Sequence, residues 1–252
     1  MIDLSIVFGT YNRPTLIDKC SESVKKSCDS LDHEIIIVNG DHGDSPSWSF
    51  KNWMSDGTTT MIYRELNGCV DAYNIGFSRA RGKYVAFLND DITVENNAIV
   101  QAVELLDANP KVGMVAIPYE NPGQKRQVAY CTSGGKRWLF ACFGVLRREL
   151  GERAGWFDGF YHYCGDCHLA MSIWKMGYQV VELTSGGYIK HYEAQSPYRN
   201  KNEMKPELKQ KIKNDFRLFA KKWGDWDGAI DSPNEKIMIE NNFKPLEDLE
   251  EE

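Results

Sequence analysis

The chain has 252 residues, of which 42% are hydrophobic and 26% charged, and its formal net charge is −6. This composition is that of an ordinary globular protein, and the acidic balance argues against bulk attraction to nucleic acid. No apolar run approaches the length of a membrane span, and Asp3 interrupts the pattern of a secretory signal. We therefore expect a cytoplasmic protein whose seven cysteines are reduced thiols rather than a disulfide framework.

The first forty residues predict a strand, a helix and a second strand. Residues 4–8 form a short apolar run, residues 9–13 a polar loop, and Pro14 suits the first turn of a helix. One face of that helix is apolar, and it is formed by Leu16, Ile17, Cys20, Val24 and Cys28. Residues 34–38 form a second apolar run, which ends in a glycine-rich loop. This spacing is typical of a βαβ unit in a parallel sheet.

Strands and helices continue to alternate as far as residue 117. Residues 61–63 predict a weak strand, and the next helix, with Val70 and Phe77 on its buried face, is expected to end at Gly82. The other predicted elements are strands over 84–88, 112–117 and 178–183, and helices over 96–109, 165–176 and 206–223. The sequence contains no internal repeat, and residues 247–252 form an acidic tail.

The strand predicted over residues 84–88 ends in a polar and acidic triplet, Asn89, Asp90 and Asp91. Carboxylates at this position would lie at the carboxyl edge of a parallel sheet, where α/β folds place their ligands. Such oxygens can bind a hard divalent cation, which in turn can hold a diphosphate. The alternative is a strand followed by an acidic turn.

Four segments in this order resemble the family-2 glycosyltransferases, which have the GT-A fold and use nucleotide-diphosphate sugars. The resemblance covers roughly residues 4–196. It is carried by residues 5–14, by 67–76 with 80–84, by the acidic triplet within 87–91, and by 155–158 with Gly165, Asp166, Gly177, Tyr178 and His191. Each segment alone is a weak signal, whereas four at the expected spacing are a strong one.

The resemblance implies the fold class, an α/β fold with a mostly parallel nucleotide-binding sheet flanked by helices and a smaller acceptor half. We expect a GT-A domain over residues 1–200, with a nucleotide-binding half over 1–117 and an acceptor half over 118–200. Residues 201–252 are expected to add an amphipathic helix and the acidic tail. The implied activity is that of an inverting, hexosyltransferase-like enzyme that moves a sugar from a nucleotide-diphosphate donor, UDP-linked by default, to a hydroxyl acceptor.

The resemblance also assigns the chemistry to particular residues. Asp91 is the expected ligand of Mn²⁺ or Mg²⁺, and His191 the second one; a surface histidine at a strand end is the alternative for His191. Asp166 matches the catalytic base, which takes the proton of the attacking hydroxyl. The alternative for Asp166 is a helix N-cap, and the two roles are compatible.

Other residues are expected to bind the donor. The nucleotide-sugar contacts are assigned to Thr10, Tyr11, Arg13, Asn39, Asn67, Asn74, Asn89 and Asp90. For Asn67 and Asn74, helix capping and turn formation are the alternative. Trp138 is a candidate platform for a donor or acceptor sugar, and equally a core residue. The chain departs from the family pattern at Asn39 and Asn89, where aspartates are usual, at Gly165, where a glutamate is usual, and at Tyr73, where an arginine is common.

Several alternatives stay open. Cys164 and Cys167, flanked by His162 and His168, have the spacing of half a zinc site, although no second pair accompanies them. A degenerate GT-A scaffold could bind a nucleotide sugar or a glycan without turnover. Nucleotidyl transfer is disfavoured, because no glycine-rich phosphate loop with a downstream lysine follows residues 4–8.

The lysine-rich face of the helix over 206–223 has three interpretations. It could contact an anionic membrane near a lipid-linked acceptor, or a polyanionic acceptor such as a nucleic acid. The favoured alternative is that the helix packs its apolar face on the domain while its lysines are solvated. A glycan or a lipid-linked sugar is therefore the expected acceptor, and a nucleic-acid acceptor is disfavoured.

Overall fold

The computed structural model describes residues 2–11, 13–40, 58–133, 136–192 and 206–223. In the first half of the chain the elements are β1 (Leu4–Thr10), α1 (Pro14–Cys28), β2 (His33–Asn39), β3 (Thr59–Tyr63), α2 (Cys69–Phe77), β4 (Tyr84–Asn89), β5 (Ile92–Glu95), α3 (Ala98–Ala108) and β6 (Val112–Ala116). In the second half they are β7 (Tyr119–Glu120), β8 (Ala129–Ser133), β9 (Lys136–Phe140), β10 (Gly144–Arg147), α4 (Arg148–Ala154), α5 (Gly165–Lys175), β11 (Gln179–Glu182), β12 (Tyr188–His191) and α6 (Pro206–Trp223).

A seven-stranded sheet in the order β11-β6-β10-β4-β1-β2-β3 forms the centre of the fold. All neighbouring strands are parallel except β10, which runs antiparallel to both β4 and β6. The central strands are apolar along nearly their whole length because helices cover both faces of the sheet. The predicted α/β class with a mostly parallel sheet is confirmed.

The strand registers bring distant residues to one edge of this sheet. Gly9 of β1 pairs with Asn89 of β4, so that Thr10 and Asp90 follow side by side. A separate three-stranded sheet, β5-β12-β7, stands beyond the end of β4. In it His191 pairs with Ile92, the residue that follows Asp91. This edge therefore contains residues of four strands, β1, β4, β5 and β12, and of the loops next to them.

The predicted helices lie close to their observed positions. The apolar face of α1 is buried as predicted, and α6 has the predicted bounds, with Ile212, Phe216 and Phe219 buried against the domain. One prediction is wrong: α2 ends at Phe77, and Gly82 does not close it. Gly82 instead lies against β1, where a Cβ atom would stand 2.4 Å from the backbone nitrogen of Ser5.

The state of the cysteines agrees with the sequence expectation, since all seven are free thiols. No helix in the described ranges is both long enough and apolar enough to cross a membrane. Residues 44–57, for which the sequence predicts an irregular segment, and the acidic tail predicted at 247–252 lie outside the described residues.

Candidate active site

Two adjacent carboxylates follow β4 and are almost fully buried, Asp90 with 4% and Asp91 with 5% of its surface exposed. Thr10 Oγ1 donates a hydrogen bond of 2.8 Å to Asp90 Oδ2, and Arg13 Nη1 donates one of 2.9 Å to Asp90 Oδ1. The same Arg13 nitrogen lies 3.6 Å from Asp91 Oδ2. Burial raises the pKa of Asp90, and the guanidinium of Arg13 opposes that rise. The last residue of β1 and the loop after it thus orient Asp90, and Arg13 offsets part of the charge of the pair.

His191 reaches the same cluster from the last described strand, with 7% of its surface exposed. Its Nε2 lies 3.2 Å from Asp91 Oδ1, and its Nδ1 lies 2.9 Å from Asn121 Oδ1. The amide nitrogen of Asn121 donates to Gln124 Oε1 at 3.1 Å, which directs the amide oxygen toward the imidazole. In a neutral ring, Nδ1 therefore carries the proton and Nε2 presents its lone pair to Asp91.

This arrangement fits a divalent cation. When the ring is neutral, the lone pair of Nε2 and Asp91 Oδ1 lie 3.2 Å apart, and a cation bound to both atoms would relieve the repulsion that Arg13 beside Asp91 only reduces. His191 Nε2 is buried, and no atom in the described part of the chain forms a hydrogen bond with it. Within the same ranges no group of three or more His, Cys, Asp or Glu side chains is placed to hold a metal. The chain thus offers a nitrogen and an oxygen ligand, and further ligands would come from substrate and water.

Tyr73 connects α2 to the acidic triplet. Its hydroxyl oxygen lies 2.8 Å from Asn89 Oδ1 and 2.9 Å from the carbonyl oxygen of Leu88, and its proton is donated to these acceptors. Burial raises the pKa of Tyr73 well above its usual value, and the nearby carboxylates of Asp90, Asp91 and Asp166 add to this rise. The side chain therefore remains a neutral phenol, and it fixes the orientation of the Asn89 amide.

Asp166 lies in the first turn of α5, close enough for its charge to act on the pKa of Tyr73. Its Oδ1 accepts a hydrogen bond of 2.8 Å from the backbone N–H of Cys167. The expectation that Asp166 is the N-cap is wrong, because Cys164 has that position, with φ at 64°. The turn at Cys164 and the start of the helix at Gly165 set where the carboxylate of Asp166 stands.

The other predicted donor-binding residues lie at or near the same edge. Tyr11 is 48% exposed on the loop after β1, and Asn39 is buried at the end of β2. Asn74 Oδ1 accepts a hydrogen bond of 3.1 Å from the backbone N–H of Phe157, and Asn67 Oδ1 accepts one of 3.0 Å from Lys211 Nζ. These oxygens make long-range tertiary contacts rather than the helix caps and turns of the alternative interpretation, and the role of Asn67 and Asn74 toward a donor stays a prediction.

Trp138 and the cysteine pair have packing partners elsewhere. The ring of Trp138 packs edge-on against Trp174 at 5.6 Å, and its indole N–H donates to the carbonyl oxygen of Ser133 at 3.1 Å. Its role as a sugar platform stays a prediction. Cys164 and Cys167 are buried, and burial raises the pKa of both thiols. In the described residues these two cysteines are not part of a group of three or more His, Cys, Asp or Glu side chains placed to hold a metal, and the zinc alternative stays a hypothesis.

Sequence reasoning missed Asn121, although it orients the proposed metal ligand His191. The two residues are 70 positions apart, and no motif surrounds Asn121. Sequence reasoning also missed the contact between Tyr73 and Asn89. Both residues depart from the family pattern, and these two departures are a signal that could have suggested that the two side chains contact each other.

Solved structures show the class of fold to which this chain belongs. Residues 1–349 of S. aureus TarS in complex with UDP-GlcNAc superimpose with a TM-score of 0.65 at 12% identity, over 90% of this chain and 68% of that one. The mannosyltransferase PcManGT from Pyrobaculum calidifontis, in complex with GDP-Man and Mn²⁺, gives a TM-score of 0.62 at 21% identity, over 88% and 66% of the two chains. The fold is that of a GT-A-like protein.

Sequence comparison narrows the class to a family. The model of Glycosyl transferase family 2 matches residues 5–169, and the chain belongs to this family. The putative glycosyltransferase EpsH of Bacillus subtilis is 33% identical over 94 residues, which are 36% of this chain and 27% of EpsH. The chain matches 59% of the length of a second curated relative.

Proposed function

We propose that the protein is a metal-dependent, inverting glycosyltransferase that moves a sugar from a nucleotide-diphosphate donor to a hydroxyl acceptor. Family membership supports the class of reaction, and donors are bound by two proteins of similar fold, UDP-GlcNAc by TarS and GDP-Man by PcManGT. The observation that carries the metal dependence is the 3.2 Å approach of His191 Nε2 to Asp91 Oδ1 at the carboxyl edge of the sheet. UDP is the default nucleotide, and a glycan or lipid-linked sugar the default acceptor.

Asp91 and His191 would hold Mn²⁺ or Mg²⁺, which when bound acts as a Lewis acid on the diphosphate leaving group. Asn121 keeps the imidazole of His191 in the tautomer that leaves Nε2 available. Asp90 is held by Thr10 and Arg13 on the other side of the pair, in a position that suits contact with the sugar or the ribose.

Asp166 is the proposed general base. Its carboxylate would take the proton from the acceptor hydroxyl while that oxygen attacks the anomeric carbon and the bond to the diphosphate breaks. Attack from the face opposite to the leaving group inverts the anomeric centre, by the geometry that inverting glycosidases use. One oxygen of Asp166 accepts the N–H of Cys167, which restricts the rotation of the carboxylate.

Residues of neighbouring loops are proposed to bind the nucleotide. Thr10 ends β1 and Tyr11 and Arg13 follow it, Asn39 ends β2, and Asn89 ends β4, so that a base and a ribose could lie across the three strand ends. The exposed ring of Tyr11 suits stacking on a base. Asn67 and Asn74 are further candidates for this contact.

The first test is a thermal-shift panel of UDP, GDP, dTDP, ADP and CDP, each with Mn²⁺ and with a chelator. A ligand that binds only the folded protein raises the melting temperature. We expect one nucleotide to give a shift that the chelator removes and that Asp91→Asn abolishes. No metal-dependent shift with any nucleotide would contradict the proposal.

A second measurement separates catalysis from binding. Asp166→Asn is expected to keep the metal-dependent shift and to lose turnover, by roughly 100-fold or more as for a missing general base. Parental turnover in this variant would show that another group is the base. Binding without turnover in the parental protein would instead favour a degenerate scaffold that binds nucleotide sugars.

A further inference from the structure

A buried carboxylate on α6 has no part in the proposed chemistry. Asp215 is 3% exposed and accepts three hydrogen bonds from consecutive backbone N–H groups. Oδ1 accepts from Tyr161 at 2.8 Å, and Oδ2 accepts from His162 at 2.8 Å and from Tyr163 at 2.9 Å. Residues 161–163 are called the clamped segment below. Asp215 lies well beyond residue 169, where the family match ends.

The opposite side of the clamped segment is held by the start of α2. The N–H of Val70 donates to the carbonyl oxygen of Tyr161 at 3.3 Å, and the thiol of Cys69 donates to that of His162 at 3.1 Å. At Gly68, where φ is +96°, a Cβ atom would stand 2.2 Å from the Tyr161 carbonyl oxygen. Two helices thus hold the clamped segment: α2 forms hydrogen bonds with its carbonyl groups, and α6 forms hydrogen bonds with its N–H groups.

The proposed base follows this segment directly. Cys164 makes the left-handed turn that starts α5, and Asp166 comes two residues later. A second attachment to α6 lies just beyond, where Trp223 Nε1 donates to His168 Nδ1 at 3.0 Å. Asp166 therefore stands between two points at which α6 holds the chain.

Packing a helix through a buried carboxylate costs free energy, because the charge must be desolvated. An apolar side chain at the same position avoids this cost. Burial does raise the pKa of Asp215, and only the three backbone N–H groups oppose that rise. What the carboxylate supplies, and an apolar residue cannot, is a fixed direction for three successive peptide groups.

We propose that Asp215 is a positioning residue for catalysis, which fixes the clamped segment and through it the place of Asp166. The inference rests on the proposed function, in which Asp166 is the base. Loosening the clamped segment should impair the chemical step more than it weakens binding of the metal and the nucleotide, because the segment leads directly to Asp166, whereas Asp91 follows β4 and His191 ends β12.

The test is Asp215→Asn, which keeps the shape of the side chain but replaces one acceptor oxygen by a donor. Turnover is measured as nucleotide release from UDP-GlcNAc and from GDP-mannose with Mn²⁺. We expect kcat to fall by about 10- to 100-fold, as for a displaced catalytic group. The donor KM and the metal-dependent thermal shift should stay within about twofold of the parental values, because the interactions that bind the donor equally in the ground state and the transition state are unchanged.

Two further variants make the result specific. Ile212→Val removes one methylene from a buried residue of the same helix, so that α6 packs less tightly while the clamp remains, and its kcat should stay near the parental value. Asp215→Glu keeps the charge but displaces it by one methylene, and serves if Asp215→Asn does not fold. It should also lower kcat with unchanged nucleotide binding.

Each outcome is decisive. Parental kcat in folded Asp215→Asn or Asp215→Glu, with Asp166→Asn inactive, would overturn the positioning role. An equal loss of kcat and of nucleotide binding would also overturn it, because it would show that α6 supports the whole site. A fall in kcat in Ile212→Val as large as in the Asp215 variants would have the same meaning. If Asp166→Asn itself turns over at the parental rate, the assignment of Asp166 as the base is wrong. That result comes from the Asp166 variant alone and is distinguishable from a failure of the positioning role.

Discussion

Replacing Asn121 with alanine would remove the oxygen that accepts the Nδ1 proton of His191 at 2.9 Å. The imidazole could then rotate, or exchange tautomers so that Nε2 carries the proton and no longer offers a lone pair beside Asp91. Loss of such an outer partner typically weakens metal affinity about 10- to 100-fold. If metal and nucleotide bind together, nucleotide affinity in the presence of Mn²⁺ should weaken by the same factor.

The thermal-shift assay turns this factor into a measurable change. At a nucleotide concentration about 100 times the parental Kd, binding stabilises the fold by about 2.7 kcal/mol, and a 10-fold or 100-fold weaker site leaves about 1.4 or 0.4 kcal/mol. With roughly 2–4 °C per kcal/mol for a domain of this size, the shift should fall from about 5–11 °C to about 3–6 °C or 1–2 °C. The shift that remains in chelator should be the same in both proteins.

Two control variants bear on the reason for the loss. Asn121→Asp supplies a carboxylate to the same Nδ1 proton and should restore most of the metal-dependent shift. Gln127→Ala removes a half-buried outer member of the amide network, whose Nε2 donates to Gln124 Oε1 at 3.1 Å, and should leave the metal-dependent shift unchanged. A full parental shift in Asn121→Ala would refute the reasoning, since it would mean that the tautomer of His191 does not matter to donor binding.

Two further predictions concern stability. Tyr73→Phe leaves Asn89 Oδ1 and the Leu88 carbonyl without their donor and should lower the free energy of unfolding by about 1–3 kcal/mol, read as a lower urea midpoint; an unchanged midpoint would contradict the contact. Glu34 is buried, which raises its pKa, but hydrogen bonds from the side chain of Arg81, from Ser5 and from the backbone of Arg81 outweigh burial and lower it. A pKa lowered in the folded state stabilises the fold above the unfolded value, about 4.3, and this stabilisation is lost as the pH falls through the folded value. Glu34→Gln should therefore have a lower melting temperature than the parental protein at pH 7. The loss should be equivalent to about 1–2 kcal/mol, because Arg81 is exposed and solvent weakens its attraction to Glu34. The difference in melting temperature should shrink below about pH 4. A difference that is constant from pH 7 to pH 3 would show that the charge of Glu34 is not the cause.

Much of the fold could be predicted from the sequence because its elements carry local signals. Apolar runs long enough for a buried strand, an apolar helical face in α1 and a helix between Pro206 and Trp223 are visible without any partner. The acidic triplet could be placed at the sheet edge because carboxyl ends of parallel strands share one edge. Where the local signal was ambiguous, as for the end of α2, the prediction failed: Gly82 is required by close packing on β1 and not by a helix terminus.

The sequence by itself determined the alternation of strands and helices, the class of fold and the residue types at the strand ends, since these follow from periodicity and from short motifs. The resemblance assigned Asp91 and His191 to one cation, but only the tertiary structure decided how they meet and which other distant side chains contact each other. The pairing of β12 with β5 brings His191 to Asp91, a separate turn brings Asn121 to His191, and α6 brings Asp215 to the clamped segment. These contacts join residues 50 to 100 positions apart, and no local propensity encodes them, because they depend on strand register and helix packing across the whole domain.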